Sequence, residues 1–549
     1  MYYRFKTIFI IAISLITGGV IKATSFELVR PNKVTIIEEE HIYHNMEKLC
    51  RAWGIIKYFH PAVAKGDFDI DQELFIIIPK TILMEDSFNI ILKDWVKQFG
   101  QINQENIDKM LDEIQSLERI FPGKYISYQA FKGNPIFSNE KVYAEMKEED
   151  VGLRMLALFR YWNIINYFYP YKHLLKDWDV VLRQYIPIFA KADTRKAYQE
   201  AIMRLCGEIK DGHATIYDGI LNMEAGTYIP LHISFWGKRV APNNLMFIGD
   251  TLVANGDKPL LAGKALKHPI RRGDIILAIN NRRIKDIVAD RMPLMSASNK
   301  NYGLYIMSAS ILCTDDSLLK VTYQHGEKIR HCALKTYPLK DVDLFFNPQE
   351  QDSCFKIIDN IAYINPATWK NQYFRDIWPQ VLHSDGLIID LREYPNEYLD
   401  FASKLYYDTV DVVKMRVMNV RHPGKFNDVG LMKIYGDSSC YKGNIVILND
   451  ERSISQSEFT TMLFRRSPHV VVMGSPTAGT DGDISMIALP GGIFTYISGI
   501  EILYPDGGQT QQIGLIPDII VKPTVKSIVD GDDYLLQQAL KLLKSKNSY

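Results

Sequence analysis

The residues best suited to chemistry are a serine and a histidine in distant parts of the chain. Ser455 lies in the segment 449–458, after a predicted buried strand and at the start of a predicted helix. A hydroxyl at this position lies near outward-pointing backbone N–H groups, such as that of Gln456, which can stabilise an oxyanion. The same segment also fits a capping box, in which Ser455 and Glu458 satisfy the first turn of the helix. The local pattern leaves both interpretations open.

A serine hydroxyl is a weak nucleophile unless a base takes its proton. His213, in Asp211-Gly212-His213, is the candidate base, because it follows a helix-rich segment and a glycine precedes it where a β-like stretch begins. Taken alone, the histidine is also compatible with a structural role. The other histidines have less distinctive surroundings, and we expect no metal site and no cofactor.

The elements that must position Ser455 lie in the carboxy-terminal part of the chain. Apolar runs alternate there with helical patterns, which is typical of an α/β fold with a mainly parallel, buried sheet. The predicted strands are 361–364, 386–391, 445–448 and 470–473, and the predicted helices between them are 401–407 and 458–465.

The amino-terminal part contains an internal repeat. The helical pattern around Trp53 recurs around Trp162, 109 residues later, and each copy continues through Tyr-Phe-x-Pro to Asp-aromatic-Asp, at 67–69 and 177–179. Two amphipathic helices joined by a proline-bearing loop fit both copies. The second copy runs on into His213 and the first has no counterpart, so we expect the first copy to be structural.

Between the repeat and the α/β part, residues 228–340 show short strands and turns. Gly273-Asp274 leads into an alternating strand that ends in the turn Asn280-Asn281, and 319–323 is a further predicted strand. This arrangement resembles a PDZ domain. An ordinary small β-rich module is the alternative.

Composition and the amino terminus restrict location and partners. The 549 residues carry 64 Lys and Arg against 64 Asp and Glu, which gives no net attraction for nucleic acid or anionic lipid. Arg4 and Lys6 precede an apolar run at 7–21 that is too short to span a bilayer and is followed by Lys22 and the small residues 23–25. We therefore expect a signal peptide cleaved near Ala23, with a retained anchor as the alternative, and a soluble exported protein without membrane insertion after cleavage.

Five blocks in order resemble the tail-specific, or carboxy-terminal processing, serine peptidases and their tricorn relatives. The block at 453–458 resembles their Ser-x-Ser-x-Ser-Glu, whose middle serine is the nucleophile, and this places that role on Ser455. The other blocks are Asp211-Gly212-His213, Asp390-Leu391-Arg392, the Gly-x-x-Thr-x-Gly at 474–479 and the Gly-hydrophobic-x-Pro-Asp at 514–518. The resemblance covers about residues 150–525 and makes Ser455 a predicted nucleophile that also caps its helix.

The chain departs from the family at three places. Thr480 stands where the processing branch has its lysine base, so the resemblance implies the tricorn-like branch with histidine. Gln511 stands where that branch has a glutamate, and it would partner the ring of His213 without a negative charge. Pro395, in the loop after Arg392, has no N–H to offer an oxyanion.

The resemblance implies an exported serine peptidase that hydrolyses peptides or proteins, with Ser455, His213 and Gln511 as catalytic residues. The backbone N–H groups of Gln456 and Tyr394 would form the oxyanion site, and the PDZ-like domain would capture a peptide terminus by strand addition. The alternative is an inactive family member that binds peptides. The sequence gives no oligomeric state.

The implied architecture is an α/β crotonase-like catalytic core with a PDZ-like domain and a duplicated helical region. The predicted boundaries are a signal peptide at 1–23, the first repeat copy at 24–150, the second copy at 151–227, the PDZ-like domain at 228–340, the catalytic domain at 350–525 and a carboxy-terminal helix at 526–549.

Overall fold

The computed structural model describes residues 36–130, 132–219, 228–263, 268–346, 353–396 and 400–546. The predicted signal peptide at 1–23 lies outside these residues. Across the described ranges, no helix is both long and apolar enough to cross a bilayer.

The amino-terminal region is helical, as predicted, with one short antiparallel hairpin. Its helices are α1 (Ile36–Phe59), α2 (Pro61–Lys65), α3 (Ile70–Ile77), α4 (Glu85–Lys97), α5 (Ile107–Ser116), α6 (Val151–Phe168), α7 (Trp178–Lys191) and α8 (Arg195–Glu208). The hairpin consists of β1 (Ile126–Tyr128) and β2 (Pro135–Phe137).

The two repeat copies place their tryptophans in matching positions, as predicted. Trp53 in α1 and Trp162 in α6 are both fully buried. The indole N–H of Trp53 donates to the carbonyl of Ile70 at 3.0 Å, and that of Trp162 donates to the carbonyl of Trp178 at 2.8 Å. Because each acceptor is the first residue of the following helix, Asp69 and Asp177 are the equivalent N-caps. The repeat therefore aligns Asp69 with Asp177, and the alignment of 67–69 with 177–179 is two residues out of register.

Residues 228–340 contain short strands and turns, in agreement with the predicted β-rich pattern. Their main sheet has the order β11-β10-β7-β6-β5, and Gly273-Asp274 leads into β7 while Asn280 and Asn281 turn with positive φ. The elements are β3 (Tyr217–Asp218), which precedes the module, then α9 (Leu231–Ser234), β4 (Arg239–Val240), β5 (Asn243–Ile248), β6 (Thr251–Asp257), β7 (Ile275–Ile279), β8 (Arg282–Arg283), α10 (Ile284–Arg291), α11 (Lys300–Ser310), β9 (Cys313–Thr314), β10 (Leu318–His325), β11 (Lys328–Lys335) and β12 (Tyr337–Pro338).

The four predicted strands of the α/β part are confirmed, and they lie side by side in parallel. The sheet has the order β13-β14-β15-β18-β19-β23, of which β13 is antiparallel. Its elements are β13 (Phe355–Ile358), β14 (Ile361–Ile364), α12 (Phe374–Leu382), β15 (Gly386–Asp390), β18 (Asn444–Asn449), α13 (Gln456–Phe464), β19 (Val470–Gly474) and β23 (Ile519–Ile520).

Two predictions for this part differ from the structure. The helix predicted at 401–407 is a short 3-10 helix, Asp400–Leu405. The carboxy-terminal helix is two helices, α14 (Val525–Asp530) and α15 (Tyr534–Lys546), because Gly531 takes a left-handed conformation that ends the first. Additional antiparallel strands are β16 (Val410–Met418), β17 (Phe426–Ile434), β20 (Ile484–Leu489), β21 (Ile493–Ser498) and β22 (Glu501–Leu503).

One of these antiparallel strands joins the helical region to the α/β part. β21 pairs with β20 on one side and with β3, which follows His213, on the other. Ile493 and Ile497 of β21 are buried in the same apolar core as the two repeat tryptophans. The histidine-bearing turn is thus held against the α/β part by strand pairing and by burial of apolar surface.

Candidate active site

Ser455 lies on a strained turn between β18 and α13. Its backbone has φ 56° and ψ −113°, a conformation that side-chain-bearing residues rarely adopt, and it immediately precedes the helix. A sharp strand-to-helix turn of this kind presents the nucleophile of other serine hydrolases. The strain at a non-glycine residue singles out Ser455 as a functional candidate.

The serines on either side of Ser455 have structural contacts. The hydroxyl of Ser453 donates to the carbonyl of Leu391 at 2.8 Å, and that of Ser457 donates to the carbonyl of Glu393 at 3.3 Å. Both bonds fasten the turn to the loop after β15. Of the three serines in the motif, the middle one has the strained backbone.

The predicted capping role of Glu458 is confirmed and extends beyond the helix. Its buried carboxylate accepts from the N–H groups of Ser455 at 3.2 Å, Gly479 at 2.9 Å and Thr480 at 2.9 Å, and from the hydroxyl of Thr477. Burial raises the pKa of Glu458 to about 7, against the opposing effect of these donors. One carboxylate therefore fixes the serine turn to the loop 477–480.

His213 is buried and one of its ring nitrogens is engaged. Its Nδ1 lies 2.9 Å from the hydroxyl oxygen of Ser498, at the end of β21. That hydroxyl donates to Asp211 at 3.1 Å, and the N–H of Ser498 donates to the other oxygen of the same carboxylate at 2.8 Å. The ring, a hydroxyl and a carboxylate thus form a continuous chain of hydrogen bonds.

This chain assigns the tautomer of His213. Since the hydroxyl proton of Ser498 goes to Asp211, the hydroxyl oxygen accepts from Nδ1–H of the ring. In the neutral ring Nε2 then carries a free lone pair, and this atom is buried with no hydrogen-bond partner among the described residues. Burial lowers the pKa of His213, while the carboxylates of Asp211 and Asp483 oppose that shift. The ring therefore has the form that a general base requires.

The structure brings the serine and histidine segments together through Thr480. The N–H of Gly212 donates to the hydroxyl of Thr480 at 2.9 Å, and the N–H of Ser455 donates to the carbonyl of Thr480 at 2.8 Å. Thr480, which the family resemblance aligns with the lysine base of the processing branch, thus connects the two turns.

The predicted contact between Gln511 and His213 is wrong, because Nδ1 of the ring is bound to Ser498 instead. The side-chain oxygen of Gln511 accepts from the N–H of Asp481 at 3.3 Å, and its side chain also lies beside the phenol of Tyr169. Sequence reasoning assigned no role to Asp211. It missed Ser498, which lies in a strand that the sequence pattern did not predict.

The two predicted oxyanion donors lie in different elements, one at the start of α13 and one in the loop after β15. Gln456 is the first residue of α13, so its N–H has no carbonyl within the helix to bind. Tyr394 lies in the loop after β15 and packs against a small apolar cluster that contains Ile454. Pro395 comes next in the chain, and residues 397–399 lie outside the described ranges.

The Asp-Leu-Arg motif is an ion pair that anchors this loop. Burial alone would raise the pKa of Asp390, but Arg392 and a hydrogen bond from Tyr363 hold it below its usual range. Arg392 also binds Asp533, just before α15, at 2.8 Å. The motif therefore fixes where the loop after β15 begins.

Comparison with known proteins finds a family model that matches part of the chain. Residues 360–521 match the family model of peptidase family S41. No curated protein matches the chain. The match covers the α/β part of the chain and supports a serine-type peptidase.

Solved structures share the fold over most of the chain. Mature CPAF has 12% sequence identity and a TM-score of 0.53, and mature CPAF complexed with lactacystin has 11% and 0.51; each alignment covers 72% of this chain and 98% of that chain. The photosystem II D1 C-terminal processing protease has 17% identity and a TM-score of 0.38 over 69% of this chain and 98% of that chain. At these identities the two CPAF structures show a common fold and nothing finer.

Proposed function

We propose that the protein is a peptidase of the tricorn-like branch that uses Ser455 as nucleophile and His213 as base. The observation that carries this proposal is the free Nε2 of His213, whose other nitrogen is engaged by Ser498 and Asp211, on a turn joined through Thr480 to the strained serine turn.

The proposed reaction begins with attack of the Ser455 hydroxyl oxygen on a peptide carbonyl carbon. The hydroxyl proton passes to Nε2 of His213, and the carbonyl oxygen becomes an oxyanion that accepts from the N–H groups of Gln456 and Tyr394. The positive ring donates Nδ1–H to Ser498, whose own proton points to the Asp211 carboxylate, so negative charge is available to stabilise it.

Collapse of the tetrahedral intermediate then breaks the peptide bond. The leaving amine takes the proton from Nε2 of His213 and departs, which leaves an acyl ester on Ser455. Water attacks this ester with the same histidine as base, and the products are a free carboxylate and regenerated Ser455.

A fluorophosphonate probe tests this mechanism directly. We expect the wild type to be labelled and Ser455→Ala to be unlabelled, while Ser116→Ala, an exposed serine of the helical region, labels like the wild type. Absence of labelling in the folded wild type would contradict the mechanism and favour the inactive, peptide-binding alternative.

Substrate capture and location extend the proposal. The sheet and helices of residues 228–340 are compatible with a PDZ-like domain that captures a peptide terminus by strand addition, and the α/β part with a crotonase-like core. We also propose export, with cleavage near Ala23, on the charge and apolar pattern of the first 25 residues. Amino-terminal sequencing after fractionation tests export, and an intact chain starting at Met1 in the cytosol would contradict it.

A further inference from the structure

One short stretch of the β-rich module contacts the histidine turn, the loop 477–480 and the residue before Ser455. Residues 298–302, at the start of α11, lie between the histidine turn and the serine turn. We call these five residues the clamp segment. It comes from a module whose predicted role is substrate capture, so direct contact with the catalytic turns is unexpected.

The first contact is a buried triangle of two hydroxyls and one N–H. The N–H of Gly212 donates to the hydroxyl of Ser298 at 2.9 Å and to that of Thr480 at 2.9 Å, and the two hydroxyls also contact each other. Ser298 is 3% exposed and Thr480 is 1% exposed. Since a buried N–H without an acceptor costs about 1–3 kcal/mol, this triangle fixes the backbone next to His213.

The same triangle explains the glycine before the histidine. A Cβ on Gly212 would lie 2.6 Å from the Thr480 hydroxyl and 2.9 Å from the ring of Tyr302. The close approach of the clamp segment and the loop 477–480 therefore leaves no room for a side chain.

The second contact is made by Asn299, which binds at both ends of its amide. Its oxygen caps α11 by accepting from the N–H of Tyr302 at 3.0 Å, and its nitrogen donates to the carbonyls of Thr477 and Ala478, each at 2.9 Å. The ring of Tyr302 packs with Ile454, the residue before the proposed nucleophile, and with Ala478.

We propose that Ser298, Asn299 and Thr480 are positioning residues that hold the His213 turn against the Ser455 turn. The β-rich module then contributes residues to the active site, in addition to its proposed role in capturing a peptide terminus. Thr480, at the lysine position of the processing branch, binds the His213 turn through its hydroxyl and the Ser455 turn through its backbone carbonyl. This inference rests on the proposed Ser455 and His213 mechanism.

The experiment compares Thr480→Val with Thr480→Ser and measures the second-order rate of fluorophosphonate labelling. Valine keeps the shape and loses the hydroxyl, so we expect the rate to fall about 10- to 100-fold, because small misplacements of catalytic groups have effects of this size. Serine keeps the hydroxyl and should remain within about threefold of the wild type. The pH midpoint should stay unchanged, because Ser498 and Asp211 still hold the ring.

Ser308→Ala is the matched control, because Ser308 is a half-buried serine of the same helix whose hydroxyl donates to the carbonyl of Tyr305 within α11. We expect it to label at the wild-type rate. Suppose that Ser455→Ala abolishes labelling but Thr480→Val is labelled at the wild-type rate in the same assay. This result would overturn the positioning role and leave the proposed function intact.

Hydrogen exchange tests the clamp independently of activity. The amide of Gly212 should exchange faster in Ser298→Ala and Thr480→Val than in the wild type, as measured on the peptide that contains residues 208–216. If the wild type is not labelled, the proposed function fails. The exchange measurement still tests whether the clamp segment holds the backbone at Gly212. Unchanged exchange of the Gly212 amide in both variants would overturn the proposed role of the clamp segment.

Discussion

The two copies of the helical repeat share a core contact and differ in the elements that come after it. In both copies a buried tryptophan donates to the carbonyl of the first residue of a later helix, α3 or α7, and an aspartate caps that helix. After the first copy, α4 and α5 pack back against α1. After the second, α8 leads to the turn of His213, which lies against β21 of the α/β part.

Buried charges join the two copies into one scaffold. Lys57 from the first copy binds Glu140 at 2.7 Å, and Arg160 from the second copy binds Asp71 at 2.9 Å and Glu140 at 2.8 Å. All four side chains are buried. The duplicated part is therefore joined by buried ion pairs, and the proposed base lies at the end of one copy, where it meets another part of the molecule.

The largest expected difference between the copies concerns their buried histidines. His213→Ala should lower the rate of hydrolysis about 10³-fold or more, close to the loss in Ser455→Ala, because residues that act as one unit are not additive. His60 of the first copy caps α2 by accepting from the N–H of Ala62 at 3.3 Å, so His60→Ala should cost about 1 kcal/mol of stability and leave the rate unchanged. Near-normal activity of His213→Ala would require another base.

The tryptophans should show the opposite behaviour, with similar effects in both copies. Trp53→Ala and Trp162→Ala each remove a fully buried side chain, and each should lower the free energy of unfolding by about 3–5 kcal/mol. Denaturant unfolding measures both values. A cost below about 1 kcal/mol at either position would show that the copies do not carry equivalent cores.

The pH dependence of labelling tests the surroundings of the His213 ring, which has no counterpart in the first copy. Burial lowers the pKa of His213, and because the neutral ring is the base, the rate should rise with pH around a midpoint below 6.5. Asp211→Asn removes a charge that raises this pKa, so the midpoint should move to lower pH and the plateau should fall about 10²-fold.

Glu458, whose burial raises its pKa to about 7, is common to the wild type and Asp211→Asn. The shift between the two profiles therefore reports the histidine. An unchanged midpoint in Asp211→Asn would show that the Asp211 carboxylate does not affect the pKa of the His213 ring.

The sequence predicted the parts of the site that depend on local pattern. Apolar runs indicated the four parallel strands, and the Ser-x-Ser-x-Ser-Glu block indicated both the cap by Glu458 and the candidate nucleophile. Ser498 could not be predicted, because it reaches His213 through pairing between β3 and β21, strands that lie far apart in the sequence. Ser298 was missed for the same reason, since nothing in the local pattern of a β-rich module indicates a contact with Gly212.

The smallest expected effect concerns Gln511, where the family resemblance and the structure give opposite expectations. The resemblance implies that Gln511→Glu restores a carboxylate partner for the ring and raises the rate. In the structure the ring already has Ser498 and Asp211, and Gln511 lies beside Asp481, whose buried carboxyl has a pKa well above its usual range because of burial and the nearby Glu458.

A new carboxylate at 511 would therefore enter a buried site next to another carboxyl group, with its own pKa raised. Because a raised carboxyl pKa costs stability as pH rises above its ordinary value near 4.3, the loss relative to wild type should be small at pH 5 and about 1–3 kcal/mol at pH 8. The labelling rate per folded molecule should stay within about threefold. A tenfold rise in that rate would show instead that residue 511 acts on the histidine, and that Asp211 and Ser498 are not its sole support.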